Sequence, residues 1–84
     1  MQFKAEIHVT LKRTVNDPQG RTVLGGLKSI GFTSVEEVRA GKYLEIRVHE
    51  SDKEKARTQV AEMCDKLLAN PVLEEYRFEL EEIP

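Results

Sequence analysis

An α+β two-layer sandwich is the fold that this chain of 84 residues predicts: a four-stranded antiparallel sheet in βαββαβ, ferredoxin-like order, with two helices on one face. Three observations carry the expectation. Segments near both ends alternate apolar and polar residues with period two, the mark of strands with one buried face. Two interior segments carry apolar stripes at helical spacing, each behind an N-cap signal. One-faced strands and one-striped helices must meet to bury their surfaces.

The elements follow in order. Phe3, Ala5, Ile7, Val9 and Leu11 share one face of the first strand, while Gln2, Lys4, Glu6, His8 and Thr10 share the other. Asn16-Asp17-Pro18 then starts a helix, with Asp17 as N-cap and Pro18 at the first helical position. Val23, Leu24, Leu27 and Ile30 form its apolar stripe, and Gly31 is the expected stop. Gly25-Gly26 inside this helix either permits close packing or is a tolerated weakness. From Phe32 to Glu50 the pattern is extended, and Ala40-Gly41-Lys42 reads as a hairpin turn between two strands. The first run, around Val35 and Val38, breaks alternation at Glu36-Glu37, which a bulge or late start would accommodate. In the second run Leu44, Ile46 and Val48 face one side, and Tyr43, Glu45, Arg47 and His49 the other. Ser51-Asp52-Lys53-Glu54 is a capping-box pattern. Ala56, Val60, Met63, Cys64, Leu67 and Leu68 stripe the second helix, which Asn70-Pro71 ends. Tyr76, Phe78 and Leu80 alternate with glutamates and Arg77 in a last strand.

Composition narrows the function. The length allows one domain, residues 1–84, and a small core for which oligomerisation is an obvious supplement. Thirteen basic against fifteen acidic side chains give a net charge of −2, too balanced for a protein that grips nucleic acid or anionic lipid by charge. The apolar runs are far below the ~20 residues that span a bilayer, and the N-terminus lacks the apolar core of a signal peptide. The single cysteine, Cys64, excludes an internal disulfide and a multi-cysteine zinc site, so a reducing cytoplasm is the expected compartment.

No motif announces catalysis. His8 and His49 lie on polar strand faces near Glu6 and Glu45, which reads as a His/Glu metal site or as ordinary polar residues on an open sheet face; no HExxH-like spacing supports the metal. Cys64 lies inside an apolar stripe and reads as a packed core residue rather than a reactive thiolate. No GxxxxGK[ST] or GxGxxG cradle is present. The start of the first helix, with Lys12, Arg13 and Arg21 nearby, offers amides to an anion, but a capped helix beside a solvated basic loop is the better reading. An RNA-binding sheet would carry stacking aromatics; here only Tyr43 is placed to stack. Residues 74–82 carry five glutamates and one arginine, which repel a phosphate backbone.

Three segments together resemble a known family. Asp17-Pro18-Gln19-Gly20, Val38-Arg39-Ala40-Gly41-Lys42-Tyr43, and the run from Met63 through Lys66-Leu67-Leu68-Ala69-Asn70-Pro71-Val72 into Glu75-Tyr76 are similar, in this order, to the PurS family. That family is the small subunit of phosphoribosylformylglycinamidine synthase. The resemblance spans essentially the whole chain. It implies a role in purine biosynthesis, within a complex that converts formylglycinamide ribonucleotide, glutamine and ATP to formylglycinamidine ribonucleotide, glutamate, ADP and phosphate. It further implies that a large PurL subunit uses ATP and Mg, and that PurQ releases ammonia from glutamine. The small subunit would be non-catalytic, would bind no cofactor, and would bridge the other two as a homodimer or dimer of dimers. The competing classes are a ferredoxin-like regulatory domain binding an amino acid or nucleotide at a dimer interface, and an RNA-binding module. Candidate partner-facing residues are Lys12, Arg13, Asp17, Gln19, Arg21, Arg39, Lys42 and Tyr43, which concentrate hydrogen-bonding and cationic groups in turns. Arg39 leads them, as a guanidinium can hold a partner carboxylate bidentately. The plainer alternative pairs Arg39 and Lys42 with Glu36 or Glu37.

Overall fold

The computed structural model describes all residues, Met1–Pro84, as β1 (Gln2–Leu11), α1 (Pro18–Ser29), β2 (Gly41–His49), α2 (Lys53–Met63) and β3 (Glu74–Ile83). A π turn, Cys64–Leu68, continues α2. The sheet has three strands, in the order β2-β1-β3, with both outer strands antiparallel to β1. The α+β composition therefore holds, but the expected fourth strand does not form.

The reason lies in residues 33–40. Their alternation is interrupted by Glu36-Glu37, and their last amide is committed elsewhere: Ala40 N–H donates to the Asp17 carboxylate at 2.8 Å. The segment lies against the start of α1 instead of pairing with β2. Gly20, in the first turn of α1, makes this possible, because a Cβ there would collide with the Val38 carbonyl oxygen. Gly41 accordingly opens β2 opposite Thr10 rather than turning a hairpin. Both β2 and β3 are left as edge strands with one unpaired side.

The core sits on one face of β1. Phe3, Ala5, Ile7 and Val9 are buried, and Val48 and Leu80 flank them from β2 and β3. Burying a side chain such as Phe3 or Ile7 contributes about 1.5–3 kcal/mol. Ala56 and Val60 from α2 and Cys64 from the π turn cover these residues. Cys64 is a buried free cysteine, as its place in the stripe implied. The π turn adds a residue to the winding, with Ala69 N–H bonded to the Cys64 carbonyl at 3.0 Å. That extra residue brings Ala69 into the core and rotates Leu67 out, to 82% exposure, against its expected place in the stripe. The cap of α2 also falls one residue later than the capping box suggested. The Asp52 carboxylate accepts the Lys55 amide at 2.9 Å, while the amide and hydroxyl of Ser51 both turn to Glu50.

The second correction concerns α1. Its N-terminus is as expected, with Asp17 capping and Pro18 opening the helix. Yet its apolar stripe does not cover the sheet: Val23 is 43% exposed and Ile30 71%, and Phe32, beyond the helix, is 56% exposed. A Cβ at Gly25 or Gly26 would meet nothing, so this pair serves no close packing within the chain. The molecule is accordingly flat and long, 51 × 29 × 14 Å, with a radius of gyration of 16.5 Å. A compact domain of this length would measure about 12 Å. One helix, not two, covers the sheet, and no helix is long and apolar enough to cross a membrane.

Candidate functional site

Chemistry-bearing side chains gather at the corner where β1 ends, α1 begins and residues 33–40 return. Asp17 is its keystone. The carboxylate is 4% exposed, and its two oxygens divide their work. Oδ1 accepts the Gly20 amide at 2.9 Å, and Oδ2 accepts the Ala40 amide at 2.8 Å. The Gly20 bond first, then the Ala40 bond and the nearby Arg39 charge, hold the carboxyl below its ordinary range against the opposing effect of burial.

Arg39 is half-buried beside it. Its Nη2 donates to the carbonyls of Leu11 (3.2 Å) and Lys12 (3.0 Å), and Nη1 to that of Val15 (3.5 Å). The guanidinium thus clasps the loop that joins β1 to α1, and it is Arg13 that pairs with Glu37, at 3.2 Å on the surface. Neither Arg39 nor Lys42 makes an ion pair with Glu36 or Glu37. Arg39→Ala is expected to lower stability by about 1–1.5 kcal/mol, because the loop carbonyls lose a charged donor. Arg39→Lys should recover at most half of that, since an ammonium lacks the planar fork. An unchanged urea midpoint for Arg39→Ala would refute the clasp.

The other candidates spread outward. Lys12 is half-buried, with its amide bonded to the Leu73 carbonyl at 2.9 Å. Gln19 and Arg21 are exposed on the first turn of α1, where Arg21 donates to Asn16 Oδ1 at 3.0 Å. Lys42 lies at the start of β2, opposite Val9. Tyr43 belongs to a different neighbourhood, the uncovered sheet face. Its hydroxyl donates to Glu6 Oε2 at 2.7 Å and lies 3.2 Å from Glu45 Oε2; Glu45 in turn pairs with Lys4 at 3.0 Å. The Glu6 bond, burial and the adjacent Glu45 push the phenol well above its ordinary pKa, so Tyr43 is a hydrogen-bond donor and not a base. The two histidines do not meet. His8 lies opposite Tyr43, their rings 4.9 Å apart, whereas His49 lies opposite Gln2. Six residues of β1 separate the two rows, roughly 20 Å at the strand rise.

Arg77 was not among the residues singled out from the sequence. β3 places it opposite His8, beside Glu75 opposite Thr10, on the open face. There it joins Thr10, Leu11, Arg13, Arg39 and Glu75 around a cavity of about 220 Å³. The signal was present in the sequence, as Arg77 is the one cation in an otherwise acidic strand. Its proximity to Arg13 and Arg39 depends on the pairing of β1 with β3.

Comparison with known proteins completes the picture. The family model described as PurS, phosphoribosylformylglycinamidine (FGAM) synthase, matches residues 4–82. Subunit PurS of phosphoribosylformylglycinamidine synthase from Bacillus subtilis is 46% identical over 81 residues, covering 96% of this chain and 95% of the relative. The solved structure of PurS from Methanocaldococcus jannaschii, one of the subunits of formylglycinamide ribonucleotide amidotransferase in the purine biosynthetic pathway, is 41% identical. It superposes with a TM-score of 0.87 over 98% of this chain and 99% of that one. A chain in the structure of PurLQS from Thermotoga maritima is 36% identical, with a TM-score of 0.89 over 96% of this chain and 99% of that chain. The resemblance carried by three short segments extends to the full length, and the chain belongs to the PurS family, a subunit of phosphoribosylformylglycinamidine synthase.

Proposed function

We propose that this chain acts as the non-catalytic bridging subunit of the synthase, a cytoplasmic homodimer or dimer of dimers that joins a PurL-type synthetase to a PurQ-type glutaminase. In this reading ATP and Mg are handled by the large subunit, ammonia is released by the glutaminase, and the present chain holds the two in register. The observation that carries it is α1: a helix with an apolar stripe that its own sheet leaves exposed. An unpaired stripe of this kind marks an interaction surface. The PurLQS assembly from Thermotoga maritima, which contains a chain of this fold, supports the choice of partners.

The test is reconstitution. Mixing the chain with the synthetase and glutaminase subunits is expected to give glutamine-dependent formation of formylglycinamidine ribonucleotide. Omitting this chain should abolish that activity while leaving ammonia-dependent synthesis by the large subunit. Equal glutamine-dependent turnover without this chain would overturn the bridging role. Light scattering across concentration tests the self-association separately, and a monomer mass at tens of micromolar would overturn it.

A further inference from the structure

We propose that the corner cavity is a binding site for a phosphate group. The lining brings three guanidiniums, from Arg13, Arg39 and Arg77, against one carboxylate, Glu75, a net charge of +2 in a chain whose total is −2. Neither Arg39 nor Arg77 has a carboxylate within ion-pair distance. Arg13 is engaged only by Glu37, in a pair whose side chains are 78% and 57% exposed, and such a pair exchanges readily for a better anion. Cations left unpaired around one cavity repel one another, and an anion removes that repulsion.

Position adds to charge. Arg39 is held in place by three loop carbonyls that engage Nη1 and Nη2, and its Nε–H is free. It is therefore fixed before any ligand arrives. Arg77 and Thr10 stand on the open face of adjacent strands, Arg77 one row from Thr10. Guanidinium forks and a hydroxyl are the donors that suit phosphate oxygens. The ligand class follows from size and charge. A cavity of about 220 Å³ is smaller than the ~300–1,000 Å³ that holds a drug-sized molecule, so it takes a head group and leaves any remainder outside. Once Glu37 yields Arg13 to the ligand, a carboxylate would leave half of the lining's net charge unbalanced, whereas a phosphate monoester near pH 7 carries about −1.5 to −2. The ligand is free phosphate or the phosphate end of a small metabolite. The proposal does not depend on the bridging role.

The experiment is a titration of the full-length protein with sodium phosphate, read by amide NMR shifts at ionic strength held constant with sodium chloride. Saturable shifts at Thr10, Leu11, Arg13 and Arg77 are expected. Arg77→Ala should weaken binding at least tenfold, whereas Arg47→Ala, on the same sheet face but in the row of Lys4, should leave it within twofold. Ribose 5-phosphate in a parallel titration separates the sources. Affinity equal to that of inorganic phosphate identifies the bare anion as sufficient, and affinity tenfold tighter identifies a phosphorylated metabolite. Shifts reproduced by sodium chloride alone, acetate binding as tightly as phosphate, or unchanged binding by Arg77→Ala would each overturn the assignment.

Discussion

Asp17→Ala is expected to lower the melting midpoint by roughly 10–15 °C, a large loss for a domain of this size. Two effects combine. The helix α1 loses its N-cap, and two backbone amides, those of Gly20 and Ala40, lose their acceptor at a site almost without water. Asp17→Asn separates them. Asparagine caps a helix about as well as aspartate, so the Gly20 bond survives. Its other polar atom is an NH₂, a donor that faces the Ala40 donor, so that bond is lost. The asparagine variant should therefore melt between wild type and alanine. If both variants melted with wild type, the corner would not depend on this carboxylate.

The same residue sets a pH dependence whose direction is fixed. Folding holds the Asp17 pKa below its ordinary value of about 3.9, chiefly through the Gly20 and Ala40 amides. The deprotonated form is the one that folding favours. Its stabilisation is therefore complete above the unfolded value and is lost as pH falls through the lower folded value. Glu45 and Glu50 are also held low, the first chiefly by Lys4 and the second by the Ser51 amide, so wild type should lose stability below pH ~4 from several sources. Those contributions remain in Asp17→Asn. The difference between the two melting curves should thus shrink steadily between pH 5 and pH 2, and a constant difference would show that Asp17 does not titrate with folding.

How far the sequence reveals this molecule depends on where the information lies. β1, β2, α2 and β3 were legible because each alternates or stripes cleanly over seven or more residues, and Asp17-Pro18 is a cap that local chemistry alone specifies. Residues 33–40 were not legible. Thr33-Ser34 turn and residues 35–40 join no strand, because whether a segment pairs depends on what else claims its amides, and Asp17 claims that of Ala40 from 23 positions away. Arg39 was chosen for its chemistry, yet its carbonyl partners belong to a loop whose path no periodicity describes. Arg77 was missed because its neighbours come from β1 and the returning loop, a proximity created by strand register. The stripe on α1 was read correctly as a pattern and wrongly as a contact with the sheet. Amphipathic spacing states that a face will be buried, without stating against which chain.

That last distinction carries the other large expected effect. The double variant Val23→Glu/Ile30→Lys should weaken self-association at least a hundredfold while leaving α1 helical. The two positions are seven residues apart and share a face of the helix. Glu and Lys are better helix formers than the β-branched residues they replace, and a lysine at Ile30 complements the C-terminal end of the helix dipole. The changes add no net charge. Little packing within the chain is lost, since Ile30 is 71% and Val23 43% exposed. What is removed is apolar area available to another surface, about 1.5–3 kcal/mol per side chain when fully buried. In a symmetric dimer both protomers carry the two losses, and the four together, scaled to the exposed fractions, come to roughly 3.4–6.8 kcal/mol, above the ~2.7 kcal/mol that a hundredfold change in affinity represents. Sedimentation should show a shift to the monomer mass at micromolar concentration, with the far-ultraviolet dichroism at low temperature unchanged. If the oligomer persists while assembly with the synthetase subunit fails, α1 is the surface for that partner instead. If both persist, the exposed stripe is not an interface, and the unpaired edges of β2 and β3 become the surfaces that must hold the assembly together.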